Sequence, residues 1–331
     1  MTIEVPNSCP NEPMVSVVTV TYQHADYIAA CVQGVLDQRT NFPVEHLIGE
    51  DESTDGTRAI CEGLAAAHPD RIRLFLRSRK DVMHIMGRPT ARANVKALYL
   101  AARGRYIAVC PGDDHWIDPE KLQRQVDLME AHPEYSACFT NAWNDRAGVR
   151  QDYLRAWMER EELPERVEAG DLVASNYVPA ATFLFRRDLL HPLPPGFDEA
   201  PVSDHLLVLH MALQGPIGVL DLHGAIRHVH AGGIISAKGM LHKVDVNLAM
   251  IPFLEAITGN RFKEAFAKSR RDLLRSGRQY AVDIGDRVKA RHYFTRLLRT
   301  PGHGVDLRER LRWNVILGAP RLAALFKRIR A

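Results

Sequence analysis

Two adjacent carboxylates, Asp113 and Asp114, follow a short apolar run, Tyr106–Cys110, that ends in Pro111-Gly112. A run of this kind predicts a buried strand, and Pro-Gly predicts its end. The carboxylates then lie at the carboxyl end of a strand, where ligands bind in open α/β sheets. Because two neighbouring anions repel each other, they suit a divalent cation with oxygen ligands, or nucleotide chemistry. The alternative is a helix cap, although Asp118-Pro119 already supplies one.

The elements around this turn alternate between strand and helix patterns. Apolar or β-branched runs predict four strands, and the segments between them have apolar residues at helical spacing. This alternation indicates an α/β fold with a parallel sheet and right-handed crossovers. The four predicted strands lie at 15–20, 46–48, 72–76 and 106–110. Further along, short strands are predicted at 182–185, 217–220 and 225–230, with a polar loop at 77–90 and an irregular stretch at 140–180.

The charge is unevenly distributed along the 331 residues. Residues 261–331 hold 19 Lys and Arg against 6 Asp and Glu, and residues 1–260 hold 24 against 34. The basic end, which closes in an amphipathic segment at 321–330, predicts an anionic partner such as a membrane surface. A solvated or self-associating helical bundle is the alternative. No nucleic-acid-reading module is recognisable, so nucleic acid is not an expected partner.

The cysteines and the N-terminus bear on location. Five scattered cysteines without a CxxC spacing are typical of small core residues in a reducing compartment. The N-terminal residues lack a basic-then-apolar signal pattern, and no apolar run approaches the ~20 residues that span a bilayer. We therefore expect a cytoplasmic protein, either free or peripheral at the inner face of the cell membrane.

The order and spacing of four segments resemble the family 2 glycosyltransferases, inverting enzymes of the GT-A fold, of the bacterial polysaccharide or glycoconjugate type. The resemblance covers roughly residues 14–240, and its segments are 15–22, 51–57, 104–119 and Ser203-Asp204. It implies a GT-A domain over 14–240, with a mostly parallel sheet flanked by helices. An N-terminal tail over 1–13 and a basic helical region over 241–331 complete the predicted organisation.

The resemblance implies donor-binding roles at the strand ends. Thr21, Tyr22 and Asp51 would line the base and ribose of a nucleoside diphosphate sugar. Asp51 can accept a hydrogen bond from an imide N–H, which favours uracil and allows thymine. Asp55 would support the same loop or reach the base, and Arg92 would lie near the donor phosphates. Each has a structural alternative: a helix cap for Asp51 and Asp55, turn residues for Thr21 and Tyr22, a solvated charge for Arg92.

The implied metal ligands are Asp113, Asp114 and His230, with Mn²⁺ or Mg²⁺ as the cation. Asp113 matches the second carboxylate of the family's DxD motif, whose first carboxylate is replaced here by Pro111. His230 matches a histidine that related enzymes place near the diphosphate or the metal, and a structural histidine is the alternative. Trp116 fits either the core or an acceptor-stacking ring.

Asp204 matches the catalytic base of the family. It would remove the proton of an acceptor hydroxyl while the nucleoside diphosphate leaves from the opposite face of the sugar, with inversion. Its alternative is the N-cap of the helix that follows. The expected enzyme is a metal-dependent transferase that moves a sugar from a UDP-sugar, or from a dTDP-sugar, to a glycan, lipid-linked or protein hydroxyl.

Two other functions are alternatives to a glycosyltransferase. A sugar-nucleotide pyrophosphorylase needs a glycine-rich loop after its first strand, and residues 21–26 contain no glycine. A non-catalytic carbohydrate-binding protein could keep the sheet without the base. The sequence leaves open the transferred sugar, the acceptor and its linkage, and the oligomeric state.

Overall fold

The computed structural model describes residues 2–159, 161–230, 239–259 and 261–318. The chain forms two compact units, Met1–Ala231 and Gly232–Ala331, against a predicted boundary between 240 and 241. The predicted amphipathic segment at 321–330 lies outside the described residues. Within the part of the chain that is described, no helix combines the length and apolar character needed to cross a bilayer.

The first unit is an α/β structure, as predicted. Its described residues form thirteen strands: β1 (Thr2–Glu4), β2 (Val15–Thr21), β3 (Val44–Glu50), β4 (Ile72–Arg77), β5 (Met83–Ile85), β6 (Arg88–Thr90), β7 (Tyr106–Val109), β8 (His115–Trp116), β9 (Ala137–Arg146), β10 (Val149–Asp152), β11 (Arg166–Val167), β12 (Leu184–Arg186) and β13 (Ile217–His228). Its helices are α1 (Ile28–Leu36), α2 (Thr57–Ala67), α3 (Arg92–Ala101), α4 (Lys121–Ala131), α5 (Tyr153–Met158), α6 (Ala169–Leu172) and α7 (Ser203–Ala212).

Eleven of these strands form one mixed sheet in the order β1-β4-β3-β2-β7-β12-β9-β13-β11, with β10 on β9 and β8 on β13. Strands β4, β3, β2 and β7 are mutually parallel, and β9 and β13 form a second parallel pair. Antiparallel β12 separates the two parallel groups. Residues 2–4, inside the segment predicted as a tail, pair with β4 at the edge of the sheet.

The parallel strands are covered on both faces, and most of their residues are apolar or β-branched. Buried polar residues among them are paired, as Glu45 is with Ser16 and Arg73. In β2 only Val20 is even partly exposed, and every residue of β3 is buried. Helix α1 covers one face of this region with Ile28, Cys31 and Val35, which recur at helical spacing and join the core. The carboxyl ends of β2, β3 and β7 therefore meet at one edge of the sheet, which carries the residues singled out in the sequence.

Two regions differ from the expectation. Residues 77–90, predicted as a polar loop, contain the separate two-stranded sheet of β5 and β6. The irregular stretch begins inside β9, a ten-residue strand, and the two short strands predicted at 217–220 and 225–230 are one strand, β13, with register shifts between Leu220 and Ala225. Polar residues at 140–141 and 221–224 interrupt the apolar pattern, although the backbone there stays extended.

The described part of the second unit is helical, as predicted. It consists of α8 (Met240–Thr258), α9 (Lys263–Asp283), α10 (Arg287–Arg299) and α11 (Leu307–Gly318). Buried Phe266, Leu274, Tyr293 and Leu297 supply its core. The guanidinium of buried Arg278 lies 3.7 Å from the ring centroid of Trp313, so that one basic residue of this region serves packing.

Candidate active site

The ends of β7 and β2 approach each other closely at Gly112. Its N–H donates to the carbonyl of Val20 at 3.1 Å, across the ends of β7 and β2. A Cβ at this position would lie 2.8 Å from both Cβ and Oγ1 of Thr21 and 3.0 Å from the Val20 carbonyl oxygen. Only glycine fits there. Because Gly112 packs against Thr21, the next residue, Asp113, lies at the same edge of the sheet.

Replacing Gly112 by alanine should lower the free energy of unfolding by about 1–3 kcal/mol, because the backbone of β2 must move to admit a methyl group. Urea denaturation followed by circular dichroism measures the change. Gly63, in the middle of α2, is the matched control since a Cβ there meets no atom within 4 Å. Gly63→Ala should leave stability equal or raise it by about 0.5–1 kcal/mol. Equal stability of G112A and wild type would refute the close approach.

The loop after β2 is joined to the loop after β3 by the side chain of Gln23. Its Oε1 accepts from the N–H groups of Thr54 and Asp55, at 2.9 and 3.1 Å, and its Nε2 donates to Oγ1 of Thr54. Asp55 accepts from the N–H of Ala25 and from both the N–H and the hydroxyl of Thr57. Although burial opposes ionisation, these hydrogen bonds lower the pKa of Asp55. Asp55 thus supports the loop, one of its two predicted roles.

Asp51, Tyr22 and Arg79 form one end of the site, which we call the aromatic end. Asp51 is buried and lies 3.3 Å from Nη1 of Arg79, measured at Oδ2. Burial raises the pKa of Asp51, and the charges of Arg79 and Arg77 oppose that rise. The Arg79 guanidinium also lies 3.8 Å from the ring centroid of Tyr22, which is 37% exposed. A flat ring, a carboxylate and a guanidinium suit a planar base with donor and acceptor edges.

Sequence reasoning missed Arg79. It lies in the stretch predicted as a polar loop, where nothing in the pattern distinguishes it from a solvated arginine. Its place is set by Glu52, whose Oε2 accepts from the Arg79 N–H and from the hydroxyl of Ser78.

The two adjacent aspartates occupy different environments. The Asp113 side chain is 27% exposed, and its Oδ2 lies 3.2 Å from Nε2 of His230 and 4.0 Å from Nε2 of His24. Asp114 is buried, and its Oδ1 accepts from the backbone N–H of His228 at 3.0 Å. Burial and the charge of Asp113 raise the pKa of Asp114 to about 8. Asp113 therefore faces the site, and Asp114 ties the end of β13 to the turn.

The residues around Asp113 can be tested against the predicted divalent cation. A carboxylate with imidazole neighbours is a donor set that suits Mn²⁺. Burial lowers the pKa of His24, although the charge of Asp113 opposes this, and a lowered pKa favours the neutral imidazole that a cation requires. Within the described residues no three protein ligands are assembled into a complete metal site. Asp113 and its imidazole neighbours thus fit a cation that the protein holds by one carboxylate and whose coordination substrate phosphates complete, as is common for Mg²⁺.

Asp204 lies in the first turn of α7, two residues beyond the N-cap residue Val202, so it does not occupy the N-cap position that was predicted as its alternative role. Its side chain is partly exposed and accepts from the adjacent N–H of His205 at 2.7 Å. The imidazole Nε2 of buried His205 lies 2.8 Å from the carbonyl of Leu172, which fixes the start of α7 on the neighbouring α6. A partly exposed carboxylate on an anchored helix can accept a proton from a bound hydroxyl.

Arg92 has a different environment from the one predicted. It is 4% exposed, and its guanidinium donates to the carbonyls of Phe197 and Ala200, in the loop that leads to α7. Burial lowers the pKa of Arg92, and the charge of Asp204 is the largest effect that opposes this. Its described contacts thus support the segment that carries Asp204.

Arg227 lies on β13 and acts electrostatically on both Asp114 and Tyr153. Its charge opposes the rise in the pKa of Asp114, and it opposes the rise in the pKa of Tyr153 that burial and the charge of Asp204 cause. The Arg227 guanidinium carbon lies 4.9 Å from the Tyr153 ring centroid. Two side chains that the sequence did not single out, Arg227 and Tyr153, thus contact each other, and Arg227 directly precedes His228, whose N–H donates to Asp114.

Trp116 belongs to the core. It is 3% exposed, its Nε1 donates to the carbonyl of Ala181 at 2.6 Å, and the ammonium of buried Lys121 lies 3.9 Å from its ring centroid. The alternative of an acceptor-stacking ring does not fit this burial.

The comparisons with known proteins cover most of the first unit. The family model described as Glycosyl transferase family 2 matches residues 16–191. An uncharacterized protein of Mycobacterium tuberculosis H37Rv is 34% identical over 226 residues, which are 66% of this chain and 60% of that protein. The chain thus spans about three fifths of the length of this mycobacterial relative. An uncharacterized glycosyltransferase of Nostoc is 26% identical over 239 residues, 68% of this chain and 69% of the relative.

Solved structures share the fold. A mannosyltransferase from Pyrobaculum calidifontis in complex with GDP-Man and Mn²⁺ matches with a TM-score of 0.57 and 17% identity, over 98% of this chain and 84% of that one. S. aureus TarS 1–349 in complex with UDP-GlcNAc matches with a TM-score of 0.53 and 16% identity, over 85% and 89% of the two chains. At these identities the likeness shows the fold.

Proposed function

Because the chain belongs to glycosyl transferase family 2 and has the GT-A fold, we propose that it is a metal-dependent inverting glycosyltransferase. Its donor would be a nucleoside diphosphate sugar and its acceptor a hydroxyl group. The observation that carries the proposal is the placement of Asp51, Asp113 and Asp204. Asp51 follows β3, Asp113 follows β7 and Asp204 lies in the first turn of α7. Contacts through Thr21 and His24 connect Asp51 with Asp113. The charge of Asp204 acts on Tyr153, whose ring packs against Arg227, and the charge of Arg227 acts on Asp114.

The aromatic end favours a uridine nucleotide. The Asp51 carboxylate can accept from the imide N–H of uracil or thymine, while Tyr22 and Arg79 offer flat surfaces to the ring. Glycans, lipid-linked glycans and proteins remain the acceptor classes considered. Among the structural neighbours, one was solved with UDP-GlcNAc and one with GDP-Man, which supports a nucleotide-sugar donor without identifying the sugar.

In the proposed reaction, Asp204 takes the proton of the acceptor hydroxyl. The hydroxyl oxygen bonds to the anomeric carbon while the bond from that carbon to the diphosphate oxygen breaks, so that the configuration inverts. Asp113 and His230 would hold the divalent cation, which when bound neutralises charge that develops on the leaving diphosphate. Asp114 and Arg92, by their contacts, position β13 and the start of α7.

The basic C-terminal region is proposed to attract an anionic membrane surface. Arginine and lysine exceed acidic residues there by 19 to 6, and each basic residue near such a surface contributes about 1 kcal/mol. Cosedimentation with phosphatidylglycerol vesicles, but not with phosphatidylcholine vesicles, is the expected result. Equal cosedimentation with both, or with neither, would contradict it.

A thermal-shift panel of nucleotide sugars with Mn²⁺ or Mg²⁺ tests the proposed function, because a ligand that binds only the folded protein raises Tm. We expect a rise in Tm with at least one UDP-sugar. Stabilisation by nucleoside triphosphates alone would instead favour a pyrophosphorylase, and no response to any nucleotide would favour a non-catalytic protein.

The substitution Arg79→Ala should weaken UDP binding about tenfold, because the contacts of Arg79 with Tyr22 and Asp51 are lost. The control is Lys80→Ala, at the exposed neighbouring cation, which should bind UDP as wild type does.

A further inference from the structure

The short helix α5 is anchored to the sheet by Asp152 and Asn141. The amide Nδ2 of Asn141 donates to both carboxylate oxygens of Asp152, at 2.9 and 3.0 Å, and its Oδ1 accepts from the N–H of Leu154. Asp152 also accepts from the N–H of Arg155 at 2.9 Å and from Nε2 of His223 at 2.8 Å. Leu154 is fully buried. The helix therefore has a defined position at the end of β10.

This anchored helix presents an exposed aromatic ring. Trp157 is 51% exposed, and its ring stacks on that of Tyr153 with centroids 6.3 Å apart and an angle of 25°. The Tyr153 ring also contacts the guanidinium of Arg227, whose Nη1 donates to Oδ1 of Asn144 at 2.7 Å. Arg227 directly precedes His228, whose N–H donates to Asp114, and the charge of Asp204 acts on Tyr153. The exposed ring of Trp157 thus stacks on a tyrosine that packs at the edge of the candidate site.

We propose that Trp157 and Tyr153 form a stacking surface for a sugar ring of the acceptor, so that the acceptor is a saccharide. This inference rests on the proposed function, because Asp204 marks the acceptor side. The C–H groups on one face of a pyranose contact an aromatic face favourably, while its hydroxyls need polar partners at the edge. Arg227 and Asn144 offer a guanidinium and an amide beside Tyr153.

The surroundings of Trp157 favour a saccharide over an acyl chain. Within α5 it is the single exposed large hydrophobic residue. Arg155, two positions away, is paired with Asp152 and Asp221. An acyl chain needs a contiguous apolar patch, whereas an isolated aromatic ring among charged and polar groups matches a ligand that is apolar on one face and hydroxylated at its edge.

Saturation-transfer NMR on the full chain with UDP and Mg²⁺, which is diamagnetic, tests the proposal. The probes are the methyl β-pyranosides of glucose, galactose and N-acetylglucosamine. We expect saturation to reach the ring C–H protons of at least one glycoside, to fall about fivefold or more in Trp157→Ala, and to persist in Trp157→Phe. The control is Leu100→Ala, a 58% exposed residue on α3, which should match wild type.

The uridine protons distinguish a failure of the stacking surface from a failure of the proposed function. Their saturation should be equal in wild type and Trp157→Ala, which also shows that the variant is folded. If uridine is saturated but no glycoside is, or if the glycoside signal in Trp157→Ala equals that of wild type, the stacking surface is refuted. Transfer of saturation to octanol or a serine peptide in place of the glycosides would refute it as well. If uridine itself receives none, the proposed function fails and this inference fails with it.

Discussion

Replacing Asp204 by asparagine should reduce sugar transfer at least about a hundredfold while nucleotide binding stays within about twofold of wild type. The amide has nearly the same shape, and its oxygen can still accept from the His205 N–H, as the carboxylate does. It cannot take a proton from the acceptor hydroxyl. General-base catalysis contributes typically ~10²–10⁴-fold to a rate, so we expect kcat to fall by that amount.

Glu199→Gln is the matched control for this variant. Glu199 is an exposed carboxylate in the loop before α7, and its charge, like that of Asp204, acts on Arg92. It should keep wild-type transfer, which separates loss of the base from loss of negative charge. UDP release in the presence of acceptor measures transfer, and the thermal shift with UDP measures binding. Transfer at the wild-type rate by D204N would remove Asp204 from the mechanism.

Replacing Asp113 by asparagine should lower transfer by about 10²-fold or more, through the loss of the anion that would hold the cation and diphosphate. The amide oxygen can still accept from Nε2–H of His230, so the fold should be kept. The stabilisation by UDP should also lose its dependence on Mn²⁺. A titration of UDP at two Mn²⁺ concentrations, followed by Tm, gives both quantities.

Asp118→Asn serves as control for the Asp113 variant. Asp118 lies five residues further on, and its Oδ1 accepts from the N–H of Glu120, a bond that asparagine retains. It should preserve the Mn²⁺ dependence. Unchanged transfer by D113N, or wild-type transfer in excess chelator, would show that the cation site lies elsewhere or is not used.

The parallel half of the sheet could be predicted because its signals are local. Short runs of mostly apolar or β-branched residues predicted β2, β3, β4 and β7, and the Pro-Gly pair predicted the turn that carries Asp113. Strand β9 was missed because Thr140 and Asn141 look like loop residues. In the fold both are buried, and their polar groups are satisfied by distant partners: the Thr182 hydroxyl donates to the Thr140 carbonyl, and Asn141 binds Asp152.

The candidate site likewise combines residues that local sequence signals identify with residues whose contacts depend on the fold. Residues that follow a predicted strand or precede a predicted helix, such as Asp51 and Asp204, could be selected from the sequence. The contacts of Arg79, Tyr153 and Arg227 depend on which loops approach each other, and pattern alone does not give that. The difference between Asp113 and Asp114 also could not be predicted from the pattern, because it follows from the burial of the Asp114 carboxylate under the end of β13.

A crystal structure with UDP and Mn²⁺ tests the central claim most directly. We expect the uracil against Asp51, Tyr22 and Arg79, the diphosphate and the cation at Asp113 and His230, and the carboxylate of Asp204 across the same cleft. A nucleotide bound away from this sheet edge, or Asp51, Asp113 and Asp204 opening onto separate surfaces, would contradict the account.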